Sequence, residues 1–202
     1  MKKQLFLFVL LLFSVCAYSQ TAKDYYRSGA GKFVLKDYRG AIADFTKAIE
    51  LNPKFEEAYF WRGEIKCNYL DDYIGAIADL TKSIELNPSF DGGYYYRGIS
   101  KGNLDDHRGA IADFTKAIEL DPNNADSYNY RGSSKTVLKD YRGAIEDFNK
   151  AIELNPKFAK AYLGRGIAYY NSGQKNKGCL DLSKAGELGS LYAYDVIKEI
   201  CQ

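Results

Sequence analysis

GAIADFTKAIELDP, at residues 109–122, decides the fold because the chain repeats it. The phrase reads GAIADFTKAIELNP at 40–53, GAIADLTKSIELNP at 75–88 and GAIEDFNKAIELNP at 143–156. Successive starts lie 35, 34 and 34 residues apart. A fixed period of that length marks stacked supersecondary units, each with an apolar face that it cannot bury alone.

Working outward from the phrase, each unit reads as two helices. In the second unit an apolar and aromatic stretch over 58–70 precedes an amphipathic one over 73–86, with Asp71 and Asp72 between them. An Asp just before a helix accepts hydrogen bonds from the first backbone N–H groups and favours the positive end of the dipole. Asp37, Asp106 and Asp140 hold the equivalent place, and Pro53, Pro88, Pro122 and Pro156 close the second helices. Gly29, Gly63, Gly98, Gly132 and Gly166 recur inside the first helices, where each costs about 1 kcal/mol relative to Ala. Such repetition predicts that two helices approach closely there, opposite Ala41, Ala76, Ala110 and Ala144. Tyr25, Tyr59, Tyr94, Tyr128 and Tyr162, with Phe45, Leu80, Phe114 and Phe148, have the spacing of core residues.

These features resemble tetratricopeptide-repeat proteins, with about 34 residues per unit and the aromatic, Gly, Tyr, Ala, Phe, Ala and Pro slots filled in register. The resemblance covers units at 22–55, 56–90, 91–124, 125–158 and 159–190, followed by a capping helix at 191–202. It implies an all-α fold, a right-handed alpha-solenoid of five helix-turn-helix repeats, with the first helices lining a concave groove. It also implies partner binding rather than chemistry. By that resemblance the groove is faced by Tyr26 and Phe33, Phe60 and Glu64, Tyr95 and Asn103, Asn129 and Thr136, and Leu163 and Tyr170. Ala30, Cys67, Ile99, Ser133, Ile167 and Asn171 lie beside them. Aromatics among amides and hydroxyls, with almost no charge, suit an extended peptide or a partner helix. Some members clamp the C-terminal carboxylate of heat-shock chaperones with Lys, Arg and Asn; the matching positions here hold Tyr26, Ala30, Phe60 and Glu64, which do not.

The chain departs from its own pattern in three places. One extra residue near Tyr69 predicts a lengthened turn or a helical bulge. His107, the one His of the chain, replaces a Tyr. The fifth unit has Gly178 for Ala and Lys175 for Tyr and lacks the final Pro, as expected of a terminal repeat. In the last helix Ala193, Val196, Ile197 and Ile200 share one face, suited to covering the fifth unit. Arg62, Arg97, Arg131 and Arg165 recur before the Gly, and Asp79, Asp113, Asp147 and Asp181 recur in the second helices. Charges repeated in every unit predict architectural ion pairs, with Lys32, Lys66, Lys101 and Lys135 as further members.

Residues 1–19 read as an export signal: Lys2 and Lys3, an apolar run over 5–15, then Ala17 and Ser19 before a cleavage point at Gln20. The run is too short to span a bilayer, which takes about 20 residues. Periplasmic or extracellular placement follows, with lipidation of Cys16 as the alternative. The whole chain has 28 basic and 26 acidic side chains; losing the leader removes two lysines and leaves the signs balanced. Balanced, interspersed charge argues against nucleic acid and against anionic membranes, and no later segment is apolar enough to cross a membrane.

Cys179 and Cys201 flank the turn at Gly189-Ser190 at similar distances, so a helical hairpin brings them opposite one another. An oxidising compartment then allows a disulfide; two buried free thiols are the alternative. No metal-ligand spacing, phosphate-binding Gly-rich loop or nucleophile set is present, so no cofactor or metal is expected. The functional expectation is a non-catalytic scaffold of the bacterial envelope that binds a protein or peptide. A module binding wall or surface polysaccharide is the alternative, and self-association through the N-terminal face around Tyr25 and Tyr26 stays open.

Overall fold

The computed structural model describes residues 20–201; the expected leader and Cys16 lie outside them. Among the described residues there are eleven α-helices and no strand. They divide into two compact units, one ending at Ala58 and one beginning at Tyr59.

In the first unit α1 (Ala22–Val34) packs on α2 (Tyr38–Leu51). Thr21 and Asp24 form a reciprocal capping box at the start of α1. Asp37 caps α2, accepting a hydrogen bond from the Gly40 N–H at 2.9 Å. Phe45 is fully buried beneath Gly29, where an added Cβ would come within 2.9 Å of the ring.

The second unit holds most of α3 (Glu56–Tyr69), then α4 (Tyr73–Leu86), α5 (Asp91–Asn103), α6 (His107–Leu120), α7 (Ala125–Val137), α8 (Tyr141–Leu154), α9 (Ala159–Asn171), α10 (Lys175–Glu187) and α11 (Leu191–Ile200). From α4 onward each helix packs on the next in sequence, and the first helices also meet directly, α5 on α7 and α7 on α9. That is the packing of stacked hairpins. Leu80, Phe114, Phe148 and Leu182 lie fully or almost fully buried under the glycines of the first helices. Asp72, Asp106 and Asp140 cap α4, α6 and α8 through the N–H groups of Gly75, Gly109 and Gly143.

The extra residue of the second repeat is absorbed at the end of α3. The Asp72 N–H closes on the Lys66 carbonyl, six residues back, whereas Asp106 and Asp140 close on Lys101 and Lys135, five back. Asp71, Asp105 and Lys139 hold the left-handed turn positions, with φ of 52°, 61° and 63°.

In the fifth hairpin a Cβ on Gly178 would lie 2.8 Å from the Gly166 carbonyl oxygen, so its glycine follows from backbone contact between α9 and α10. Cys179 and Cys201 are joined by a disulfide across α10 and α11. Ala193 and Val196 are the buried residues of α11, with Ile197 and Ile200 half-buried; Leu191, Tyr192 and Tyr194 are exposed.

Candidate partner-binding surface

One polar motif recurs through the second unit. Arg97 donates through Nε and Nη2 to both oxygens of Asp113, at 2.9 and 2.7 Å, and Lys101 reaches the same carboxylate at 2.8 Å. Arg62 and Lys66 share Asp79, and Arg131 and Lys135 share Asp147, in the same geometry. Each guanidinium lies over the Tyr three residues earlier, at 5.4–5.7 Å from the ring centroids of Tyr59, Tyr94, Tyr128 and Tyr162. Arg97 and Arg131 also donate backward to Thr81 and Thr115, and Arg165 to Asn149. Each of these arginines therefore fastens one hairpin to its predecessor, and the expected Arg–Asp pairing is observed. In the fifth hairpin Tyr169 takes the Lys position, and Arg165 holds Asp181 through the same bidentate contact. Hydrogen bonding to Asp181 holds the Arg165 guanidinium above its usual pKa. In the first unit Ser28 stands at the Arg position, so Asp44 takes a hydroxyl and Lys32 instead.

The structure divides the expected groove residues. In the first unit Tyr26 is tilted against Phe45 and Phe55, with centroids at 5.7 and 5.0 Å, and Phe33 lies 6.1 Å from Tyr38. In the second unit Phe60 is only 8% exposed, edge-on to Phe90 at 4.7 Å. Asn129 is 5% exposed, and its Oδ1 is enclosed without a hydrogen-bond partner. Glu64 is buried as well, with an unpartnered Oε2; burial raises its pKa, and the facing Tyr96 and Asn68 side chains oppose that shift. The hydroxyls of Tyr95 and Tyr96 are pushed well above the ordinary tyrosine range, first by burial. Phe60, Glu64 and Asn129 thus point into packed surroundings rather than offering surface. Tyr95 is half-buried against Tyr96, Phe114 and Tyr130.

The others remain accessible to some degree. Asn103 is exposed, with Nδ2 donating to the Ile99 carbonyl, while Thr136 is half-buried and donates to the Gly132 carbonyl. Leu163 is half-buried, and so is Tyr170, whose ring takes the Lys175 ammonium at 5.5 Å. Ile99, half-buried, and Ser133, exposed, belong to the same surface. Val137 and Gly102 were not singled out from sequence. The signal for Gly102 is that Phe33, Cys67, Thr136 and Tyr170 hold its position in the other units. Among the described residues no group of three or more His, Cys, Asp or Glu side chains is placed to hold a metal ion, and no helix is long and apolar enough to cross a membrane.

Comparison with known proteins agrees with the repeat geometry. Family models described as tetratricopeptide repeat match residues 35–55, 93–124 and 114–146, and one described as TPR repeat matches 138–173. The chain belongs to the tetratricopeptide-repeat family. A MamA protein of known structure is 28% identical, with a TM-score of 0.75, over 83% of this chain and 91% of that one. YrrB, a tetratricopeptide-repeat protein with an unusual peptide-binding site, is 20% identical with a TM-score of 0.78, over 93% and 97% of the two chains. MamA from Desulfovibrio magneticus RS-1 is 19% identical with a TM-score of 0.78, over 85% and 97%. These last two share the fold. No curated protein sequence matches the chain.

Proposed function

We propose that this protein is a non-catalytic scaffold that works outside the cytoplasm and binds a peptide or partner helix on the first-helix surface of its second unit. The repeat fold is consistent with protein–protein interaction. One observation carries the surface. The cations repeated along the first helices are committed to Asp79, Asp113, Asp147 and Asp181, so Ile99, Asn103, Ser133 and Thr136 form an uncharged patch between them. Uncharged surface with amides and hydroxyls suits a peptide backbone, which is neutral and rich in hydrogen-bonding groups. YrrB, which shares the fold, has a peptide-binding site. Export is supported by the apolar leader after Lys2 and Lys3 and by a disulfide between Cys179 and Cys201.

The test is crosslinked capture from the native cell with the wild-type chain and with Asn103→Arg plus Ser133→Arg. A defined protein recovered by the first and lost by the second, with circular dichroism unchanged, is the expected result. Equal recovery by both removes this surface from the binding reading. Retention on insoluble wall polysaccharide with no protein captured replaces the scaffold by a glycan-binding module. Cleavage before Gln20 is checked by the N-terminal sequence of the native protein.

A further inference from the structure

A cavity of about 150 Å³ lies between α5, α6 and α7. Gly98, Phe114 and Ser134 are buried and form its floor; Asn103, Ser133 and Val137 are exposed and mark its mouth. One wall is the stacked pair Phe114 and Tyr130, with centroids 5.7 Å apart and an 18° interplanar angle. The space exists because this hairpin is trimmed at two places. Gly102 stands where Phe33, Cys67, Thr136 and Tyr170 stand elsewhere, and His107 stands where Tyr38, Tyr73 and Tyr141 do. A Cβ built on Gly102 meets nothing closer than the Ala110 methyl, at 3.9 Å. No Lys, Arg, Asp or Glu lines the cavity.

Resting on the scaffold reading above, we propose that this cavity is the anchor pocket of the surface, taking one uncharged, apolar side chain of leucine to phenylalanine size from the bound peptide. Apolar cavities of about 150 Å³ hold a benzene-sized group. A charged side chain would lose its hydration there with no charged residue in the lining to replace it, and an alanine would leave most of the volume empty. His107 lines the same space, with its Nε2 3.8 Å from the exposed Asp105 carboxylate. Central, enclosed anchors of this kind dominate the energy of peptide recognition.

The test titrates the full chain with N-acetyl-phenylalanine amide, N-acetyl-leucine amide and N-acetyl-alanine amide, followed by NMR at Ile99, Ser133 and Val137. The two larger amides should give saturable shifts confined to these residues, and the alanine amide none. Gly102→Phe, which restores the side chain of the first unit, should abolish the shifts and raise the melting temperature; Gly102→Ala should keep them. Absence of shifts with both larger amides, or undiminished binding to folded Gly102→Phe, overturns the pocket. A partner captured equally by wild type and Gly102→Phe, yet lost by the Asn103→Arg and Ser133→Arg pair, also overturns the anchor while the scaffold stands. Amide shifts that vanish in Gly102→Phe, with no protein captured from the cell, keep the pocket and remove the scaffold reading.

Discussion

Between α5, α6 and α7 the trimmed residues Gly102 and His107 leave room, whereas α9 and α10 close until the Gly166 carbonyl lies against Gly178. The two hairpins descend from the same sequence pattern. The third keeps the polar devices in full: Asp113 holds two cations, Asp106 caps α6, and Asp105 takes the left-handed turn at φ 61°. The fifth has shed part of them. Asp181 holds Arg165 without a companion Lys, Gln174 makes no side-chain cap, and the turn passes to Gly173 at φ 87°. In their place come backbone contact and a covalent link to α11. The repeated interior thus relies on charge and caps that can tolerate a gap in the apolar packing, while the end of the stack relies on closeness.

The largest contrast should appear at the carboxylates. Asp113→Ala strands Arg97 and Lys101, both less than a quarter exposed, and should cost about 3–5 kcal/mol in urea denaturation. Asp181→Ala strands a single guanidinium and should cost visibly less; equal losses would erase the distinction between the two hairpins. Reducing the Cys179–Cys201 bridge comes next. Its 22-residue separation corresponds to about 3 kcal/mol in the chain-entropy model. Hydrogen exchange after reduction should quicken in α11 and leave α5 and α6 unchanged.

Packing gives a smaller effect of opposite sign in the two places. Gly178→Ala pushes a methyl against backbone and should cost about 1–3 kcal/mol. Gly102→Ala enters open space and should gain about 1 kcal/mol, the ordinary helix preference of Ala over Gly. Matching signs would show that the third hairpin is as tightly closed as the fifth. The finest comparison lies in the turns. Gly173→Ala should cost about 1–2 kcal/mol, because a Cβ is disfavoured at that φ. Asp105→Gly should gain about 0.5 kcal/mol, relief of the same strain less the entropy of a free glycine. Thermal melts of the four single variants resolve both pairs.

Much of this was legible in the chain before its structure. The phrase at 109–122 and its copies named the helix pairs, the Asp caps and the Arg–Asp pairing, because each depends on residues at fixed spacing within a repeated unit. The disulfide remained one of two alternatives, since proximity of Cys179 and Cys201 depends on how α10 and α11 fold back. Family geometry put Phe60, Glu64 and Asn129 on an open surface, but neighbouring aromatics and helices enclose them; side-chain burial depends on what the next hairpin brings, not on position within one. The cavity was hidden for a related reason. It needs Gly102 and His107 to be small together while Tyr130 of the next hairpin forms a wall, and no single departure announces it.

The backward bonds of the arginines also bear on how such a chain changes length. Arg131 meets Thr115, and Arg97 meets Thr81, through the same atoms at 3.1 and 3.2 Å. Excising residues 91–124 would bring Arg131 opposite Thr81, its Nη1 offered the same threonine hydroxyl as an acceptor. At this bond, adding or removing one whole hairpin leaves no mismatched joint. The length of the array is open to evolution in steps of one hairpin.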